Sequence, residues 1–382
     1  MAARAGTAGA GSLRGGAGMS WTVVPATDFA RHASRWQRLH AAGPASPLLD
    51  VDFVQALLDV FGTGRDMLAW HGDADDTDAM TIVTPGRLGA WNTFQPAQAP
   101  VGLWLQRDTR PADGLLAGLL RALPGPALML GLTQCDPMLM PRPAFDTPSG
   151  ARSFDYIRTA RITLQGGFDD YWNARGKNLR NNLKKQRNRL RQDGIATRLE
   201  VVRERELMAG AVADYGKLET TGWKAAEGTA VAADNDQGRF YRALLEAFAR
   251  RGAASVYRYW FDGPSGPHLA AMDLCVEGGD CIVILKTAYD EALGPQLSPA
   301  LLMREEATRG LFDEARFERI EFYGRVMEWH TRWTDEIRTM YHLNGYRWPL
   351  LGRLHALAAR DRGGEADVSA APPAPAAAAT GS

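Results

Sequence analysis

The fold of this chain is decided by the stretch from Ala254 to Tyr323. The stretch contains three apolar runs of strand-like composition: ASVYRYWF (254–261), HLAAMDLCV (268–276) and CIVILKTA (281–288). They are separated by Asp262-Gly263-Pro264 and by Glu277-Gly278-Gly279-Asp280, and both of these are turn sequences. The three runs therefore predict an antiparallel meander.

Helices are predicted on both sides of the meander. Ser298 and Pro299 predict a helix start after it, because a serine side chain caps free N–H groups and proline has no N–H to lose there. Arg319–Tyr323 then predicts a short last strand. Hydrophobic periodicity predicts three helices before the meander, over Phe168–Arg191, around Leu207–Leu218 and around Phe240–Phe248.

The residues before Pro143 predict another unit of mixed helices and strands. Helices are expected at Val51–Val60 and Pro111–Leu123, and strands at Asp66–Trp70, Ala79–Thr84 and Ala127–Leu132. A segment punctuated by glycine and proline precedes the second helix and ends at Leu103–Leu105. The proline-rich segment 141–150 predicts a crossing between two units, at 20–150 and 151–358. Residues 1–19 and 359–382 are predicted to be disordered, because their composition cannot form a core.

The composition excludes several classes of protein. Lys plus Arg number 44 and so do Asp plus Glu, so the whole molecule has no net attraction to nucleic acid or membranes. Cys135, Cys275 and Cys281 lack the spacing of a disulfide framework or a zinc site, and no metal is expected. Neither a secretory signal nor a transmembrane segment is predicted. A cytoplasmic protein is the resulting expectation.

One segment is strongly basic. Residues 175–191 hold eight Lys and Arg residues and no acid. On a helix they surround everything except the leucine face. Such density favours a polyanion, since each cation near a phosphate releases counterions. A solvated helix face, an anionic acceptor, a tRNA-borne donor and an anionic membrane surface all fit this pattern.

The transition from the third run into the next helix predicts a phosphate site. A helix start offers free backbone N–H groups and the positive end of the helix dipole, which a pyrophosphate fits. Any strand-to-helix turn shares part of this signal. The residues predicted to bind the cofactor are Gln296, Leu297, Ser298, Ala300 and Leu301.

Four separated motifs resemble one family. They are Lys177-Asn178-Leu179-Arg180-Asn181-Asn182-Leu183-Lys184-Lys185, Glu219-Thr220-Thr221-Gly222-Trp223-Lys224 with Gly228-Thr229-Ala230, Lys286–Glu291 leading into Leu297-Ser298-Pro299, and Ile320-Glu321-Phe322-Tyr323-Gly324 with Glu328–Trp333. With these four motifs in this order, the chain resembles the CelD/BcsL-like acetyltransferases, which carry a BioF-like domain of the GNAT/FemAB superfamily. The resemblance covers about 160–345 strongly.

The resemblance implies an α/β fold of two tandem GNAT-like domains, each a mixed, mostly antiparallel sheet flanked by helices. The element order in the second half agrees with this. It also implies acetyl-CoA or another acyl-CoA as co-substrate, and an acceptor from exopolysaccharide biosynthesis. Fold and family do not by themselves fix an acceptor.

Three positions depart from the family pattern, and one of them is Glu321, which stands where the family has aspartate. His330 stands where Fem-like enzymes have a lysine near the reacting groups, and Ala300 stands where relatives commonly have glycine. Glu321 is the first choice for general base and His330 the second, with Lys224 as the third catalytic candidate. His330 is equally well explained as a structural residue packed beside Trp329.

The remaining candidates are predicted to contact the substrates. Trp223 is expected either to form a wall of the cleft or to pack in the core, with Glu219 one helical turn earlier near Lys224. Asp273 is an unusual acid in a central strand, either facing an edge or acting as a base. The predicted substrate-binding set is Glu219, Trp223, Tyr289 and Arg325.

These residues together predict direct acyl transfer. An acceptor amine or hydroxyl attacks the donor, a base removes its proton, and backbone N–H groups of a splayed strand hold the oxyanion. No nucleophile constellation indicates an acyl-enzyme. Two alternatives stay open: a Fem-like tRNA-dependent aminoacyl transferase, and a non-catalytic component of a polysaccharide biosynthesis complex.

Overall fold

The computed structural model describes residues 20–73, 76–107, 112–143, 150–220, 231–232, 234–294 and 296–361, with side chains up to residue 355. Trp223, Lys224 and the predicted disordered ends lie outside these residues, except that 359–361 continue the last helix. No helix among the described residues is long and apolar enough to cross a membrane.

The first part of the chain alternates strands and helices. Its elements are β1 (Trp21–Pro25), α1 (Phe29–Ala42), α2 (Val51–Phe61), β2 (Met67–His71), β3 (Ala79–Pro85), β4 (Ala90–Thr93), β5 (Trp104–Gln106), α3 (Asp113–Ala122) and β6 (Met129–Cys135). The predicted helices at 51–60 and 111–123 are confirmed within two residues at each end. Asp50 caps α2 by accepting from the Asp52 N–H at 2.9 Å.

The second part is longer and begins with a central strand. Its elements are β7 (Arg152–Thr163), α4 (Phe168–Asn173), α5 (Lys177–Gln192), β8 (Ala196–Val202), α6 (Arg205–Thr220), α7 (Asp236–Ala249), β9 (Ala254–Gly263), β10 (Gly266–Gly278), β11 (Cys281–Tyr289), α8 (Pro299–Glu314), β12 (Arg319–Phe322), α9 (Glu328–Trp333), β13 (Ile337–Tyr346) and α10 (Pro349–Asp361). The predicted meander is confirmed as β9, β10 and β11.

All the strands described form one sheet. Their order is β1-β2-β3-β4-β6-β13-β7-β12-β11-β10-β9-β8, with β5 paired to β3. The β4/β6 and β11/β12 pairs are parallel, and the other pairs are antiparallel. The predicted fold class, a mixed and mostly antiparallel α/β fold flanked by helices, is therefore confirmed.

The sheet contains an internal repeat. One strand, two helices, a three-strand meander, one helix and one parallel strand occur as β1-α1-α2-β2-β3-β4-α3-β6 and again as β8-α6-α7-β9-β10-β11-α8-β12. The strand after each repeat pairs with the other repeat, because β7 pairs with β12 and β13 pairs with β6. This exchange joins the halves into one sheet. The predicted boundary at residue 150 stays a prediction.

Helices cover both faces of the sheet. One face packs against α1, α2, α6 and α7 in a core shared by both repeats, where the rings of Phe53 and Phe240 lie 5.8 Å apart. On the other face α5 and α8 cover the second repeat, while α3 covers the first. We call the first the shared face and the second the α8 face.

The single helix predicted over Phe168–Arg191 is wrong, because the structure has two helices. Gly176 precedes α5 with extended backbone (φ −56°, ψ 137°), which breaks the helical run. The seven-residue spacing from Trp172 to Leu179 therefore crosses a break. Trp172 still packs against the same core as Leu179 and Leu183, so the periodicity correctly predicted which side chains face the core.

Candidate active site

An opening in the sheet lies between β11 and β12. The two strands pair only from Cys281–Ile284 to Arg319–Phe322. Beyond this point β11 continues along β10, whereas Val326 N–H donates to the Arg158 carbonyl of β7 at 2.8 Å. Lys286 lies opposite Leu274 and Ile284 opposite Cys275, so Leu285 is the extra residue of a bulge. The bulge and the opening coincide, which frees backbone groups of β11 at that point.

The predicted cofactor residues begin α8 beside this opening. The helix starts at Pro299 as predicted, but the Ser298 side chain makes no capping hydrogen bond. The Ser298 N–H donates instead to Oε1 of Gln186 on α5 at 2.8 Å, and Arg189 contacts Gln296. The basic helix α5 thus lies directly against this helix start, and Arg189 adds positive charge there.

A buried ion pair lies beneath α8. Nη1 of Arg304 is 2.7 Å from Oδ2 of Asp273, and both side chains are almost completely buried. Thr287 of β11 donates to Asp273 at 2.5 Å, and the guanidinium of Arg304 lies 5.3 Å from the ring centre of Phe322. Asp273 therefore faces α8 rather than a sheet edge. Its carboxylate is paired with Arg304.

His330 lies on the same side of the opening. Its ring is 5.5 Å from the ring of Phe322 and stacks on Trp329 at 3.6 Å. Burial, with a smaller contribution from nearby Arg304, lowers the pKa of His330 to about 4, although the backbone of Met327 opposes the shift. Its Nδ1 accepts the Met327 N–H at 2.9 Å, so the neutral ring carries its proton on Nε2. In this state the free ring nitrogen donates a hydrogen bond.

Glu321 points to the opposite side. Its neighbours Ile320 and Phe322 belong to the core under α8, so the alternation of β12 directs Glu321 to the shared face. Its carboxylate lies 3.0 Å from Nε of Arg319 and 2.8 Å from Nη2 of Arg338. Burial raises the pKa of Glu321, although Arg338 opposes the shift. The two proposed bases therefore lie on different sides of the sheet.

Sequence reasoning missed a residue of the first repeat that organises this cluster. Asp136, just after β6, accepts from Nε and Nη2 of Arg338 at 2.9 and 2.7 Å. It also accepts from the Tyr323 hydroxyl at 2.8 Å. Asp136 and Arg338 are 202 positions apart, and no local pattern marks either one. Only the exchange of β13 brings them together.

Among the predicted substrate-binding residues that the structure describes, Glu219 lies on the shared face. Glu219 is buried on α6, where Oε2 accepts the Val231 N–H at 2.8 Å and Oε1 lies 3.5 Å from Nζ of Lys286. Lys286 follows the bulge directly, so Glu219 is linked to the opening. Tyr289 and Arg325 are exposed, at the end of β11 and in the segment after β12.

The opening thus has two chemically different sides. Gln296–Leu301, Arg304 and His330 lie on the α8 face, and Glu321, Glu219 and Arg338 lie on the shared face. A donor and an acceptor can therefore approach one point from opposite sides of the sheet.

Comparisons with known proteins agree with this geometry. Residues 177–331 match a family model described as an acetyltransferase (GNAT) domain. The chain is similar in fold to the C-terminal domain of a putative lysylphosphatidylglycerol synthetase from Agrobacterium fabrum, with 14% identity, 87% of this chain and 96% of that chain covered, and a TM-score of 0.51. It is also similar to FemX, with 10% identity, coverage of 84% and 98%, and a TM-score of 0.51.

A protein of unknown function from Bacteroides thetaiotaomicron gives the same picture, with 8% identity, coverage of 86% and 99%, and a TM-score of 0.51. No curated protein sequence matches the chain. At these identities the structural likeness shows the fold alone.

Residues 177–331 thus match a GNAT acetyltransferase domain, and the whole chain shares its fold with the three solved structures named above. The finer resemblance to the CelD/BcsL-like enzymes stays a prediction.

Proposed function

We propose that the protein transfers an acyl group directly from acyl-CoA, with acetyl-CoA as the first candidate, to an amine or hydroxyl. The opening between β11 and β12, next to the start of α8, carries this proposal. It provides unpaired strand backbone for a thioester carbonyl and a helix start for a pyrophosphate in one place.

The chemistry proposed for the opening follows its two sides. The acceptor approaches from the shared face and its nitrogen or oxygen attacks the thioester carbon. The C–S bond then breaks and the thiolate leaves towards α8. Backbone N–H groups at the Leu285 bulge hold the oxyanion, and Glu321 receives the acceptor proton. The raised pKa of Glu321 suits this role, because a base works best with a pKa near the working pH.

We assign His330 a different role from that of a base. Its neutral ring has Nδ1 occupied by the Met327 N–H, so Nε2–H is the group available to a substrate. A neutral imidazole N–H stabilises a developing oxyanion or thiolate by hydrogen bonding without having to be ionised. Lys224 and Trp223, outside the described residues, stay candidates for contacts with the acceptor.

The finer identity of the substrates rests on the sequence motifs. We propose a cell-surface polysaccharide precursor as acceptor, because the four motifs resemble the CelD/BcsL-like enzymes. We also propose a cytoplasmic location, since acyl-CoA is a cytoplasmic donor and Cys135, Cys275 and Cys281 are free thiols.

The surface of α5 favours one alternative, an aminoacyl-tRNA donor. Arg187 pairs with Glu305 and Glu306, and Arg189 with Asp193. No acidic partner is described for the other basic residues of α5, which are Lys177, Arg180, Lys184, Lys185 and Arg191. The same helix contacts the start of α8 through Gln186 and Arg189, so a phosphate backbone bound along these cations would reach the opening. FemX has the same fold, but a shared fold does not show that two proteins share a substrate.

Thermal unfolding with and without excess acetyl-CoA tests the proposal, with free coenzyme A measured in parallel. Ligand at about 100 times its Kd is expected to add about 2.7 kcal/mol to the stability. Ala300→Glu should abolish the shift by placing a carboxylate at the helix start. Exposed Ala174→Glu is the control. No shift with either compound would reject the acyl-CoA donor and favour the tRNA-dependent alternative.

A further inference from the structure

Four polar residues meet where the two repeats join, outside the reacting centre described above. They are Gln134 at the end of β6, Tyr156 on β7, His342 on β13 and Arg325 in the segment after β12. The rings of Tyr156 and His342 are 4.5 Å apart. The Val326 N–H donates to the Arg158 carbonyl of β7 at 2.8 Å, which places the neighbouring Arg325 beside the strand that carries Tyr156. Both repeats and both exchanged strands thus contribute to this cluster.

Gln134 fixes the hydrogen-bonding state of its neighbours. Its backbone N–H donates to Nδ1 of His342 at 3.0 Å, and its side-chain Nε2 donates to the Tyr156 hydroxyl oxygen at 3.3 Å. Gln134 does so from a left-handed backbone with φ 48°, an uncommon conformation for a residue other than glycine. Such conformations cluster at ligand-binding positions.

Because of these hydrogen bonds, the side chains of the cluster present hydrogen-bond donors. His342 accepts at Nδ1, so its neutral ring carries the proton on Nε2, and burial lowers its pKa and keeps it neutral. Tyr156 already accepts from Gln134, so its own proton is free to donate, and burial raises its pKa. Arg325 can only donate.

The acids adjoining the cluster along the chain are already engaged. Asp136 is bound by Arg338 and Tyr323, and Asp155 lies 2.5 Å from Nη1 of Arg142. No acidic partner of Arg325 is described among the residues of the structure. The cluster therefore offers a cation and two neutral donors without a matching acceptor of its own.

We propose that Arg325, Tyr156 and His342 form a subsite for an anionic oxygen group, a phosphate or a carboxylate, carried by the acceptor. The proposal deepens the proposed function and rests on it for the identity of the bound molecule as acceptor. Arg325 lies in the segment after β12, which separates from β11 at the opening, so an anion bound there tethers the acceptor next to the reacting centre. A guanidinium with two neutral donors is suited to such a group.

Binding of three matched amines tests this subsite. They are 2-aminoethyl phosphate, β-alanine and ethanolamine, which share the amine and differ in carrying a phosphate, a carboxylate or no anion. Calorimetric titration of the full chain is expected to show at least about tenfold tighter binding of one anionic amine than of ethanolamine. The stronger of the two identifies the anion as phosphate or carboxylate.

Gln134→Glu is the decisive variant, because it keeps the side-chain shape but replaces the locking donor with an acceptor. The Tyr156 proton then bonds to the new carboxylate, which also repels an anion. Gln134→Glu and Arg325→Ala should each remove the preference for the anionic amine. Exposed Gln192→Glu and Arg332→Ala, changes of the same type elsewhere, should retain it, and circular dichroism checks folding.

The outcomes separate this inference from the proposed function. Equal binding of all three amines by a chain that binds acetyl-CoA overturns the subsite alone. A preference that survives both cluster variants, in folded protein, also overturns it. An anion preference without acetyl-CoA binding supports the subsite while rejecting the acyl-CoA donor.

Discussion

Replacing Asp273 by asparagine is expected to destabilise the protein by about 3 to 5 kcal/mol. The side chains of Asp273 and Arg304 are 1% and 4% exposed, and their closest charged atoms are 2.7 Å apart. Asparagine keeps the shape and the contact with Thr287 but removes the charge. Arg304 is then left buried without a counter-ion, and this penalty produces most of the loss.

We expect this loss of stability to depend on how deeply the ion pair is buried, and not only on the presence of an ion pair. The Arg332–Glu328 pair has a similar distance, 2.7 Å, but its side chains are 46% and 76% exposed. Glu328→Gln should therefore cost about 0.5 kcal/mol or less. The double variant Asp273→Leu with Arg304→Met should recover much of the lost stability, because no unpaired charge then remains buried.

Urea unfolding followed by far-ultraviolet circular dichroism measures all three effects as shifts of the midpoint at an unchanged slope. The reasoning is refuted if Asp273→Asn costs no more than Glu328→Gln. It is also refuted if the double variant is as unstable as the sum of its single variants, since the pair would then contribute no coupling.

Three further predictions concern the site. Glu321→Gln should lower acyl transfer at least about tenfold in a coupled thiol-release assay, and a smaller loss excludes it as the base. His330 has a pKa of about 4 in the folded protein against 6.5 in its absence, so the unfolded chain binds more protons between these values. Stability should fall as pH drops from about 6.5 to 4, by up to about 3 kcal/mol, and His330→Phe should reduce this loss in urea unfolding at pH 7 and 4.5. If tRNA is the donor, its affinity should fall steeply with salt, and Lys184→Gln with Lys185→Gln should reduce the slope by about 2; a flat salt dependence contradicts a tRNA donor.

The parts of the fold that the sequence predicts are those set by local chemistry. Gly263 and Gly279 lie at the two turns of the meander, and Pro299 starts α8, so these boundaries are visible in short stretches. The sequence of β7 contains no comparable turn residue or helix-start residue. Its polar residues interrupt the apolar pattern, and two of them form ion pairs at the surface, Asp155 with Arg142 and Arg161 with Glu336.

The candidate site also has a part that the local sequence predicts and a part that it does not. Glu321 and His330 could be proposed because each belongs to a motif within a few residues. Their environments could not be predicted, because the partners come from elsewhere in the chain. The hydrogen bond that fixes the ring of His330 comes from Met327 nearby, yet the burial that lowers its pKa depends on β12, α8 and α9 packing together.

The strand exchange explains why the first repeat matters to the chemistry proposed for the second. β13 carries Arg338 and His342 on its shared-face side, and it lies between β6 and β7 instead of beside β12. Arg338 therefore contacts both Glu321 and Asp136 of the first repeat, and Nδ1 of His342 accepts the Gln134 N–H. A second repeat without the first would lose the partners that set the charge around Glu321. The cleft is therefore a product of both repeats, although the family motifs lie in only one.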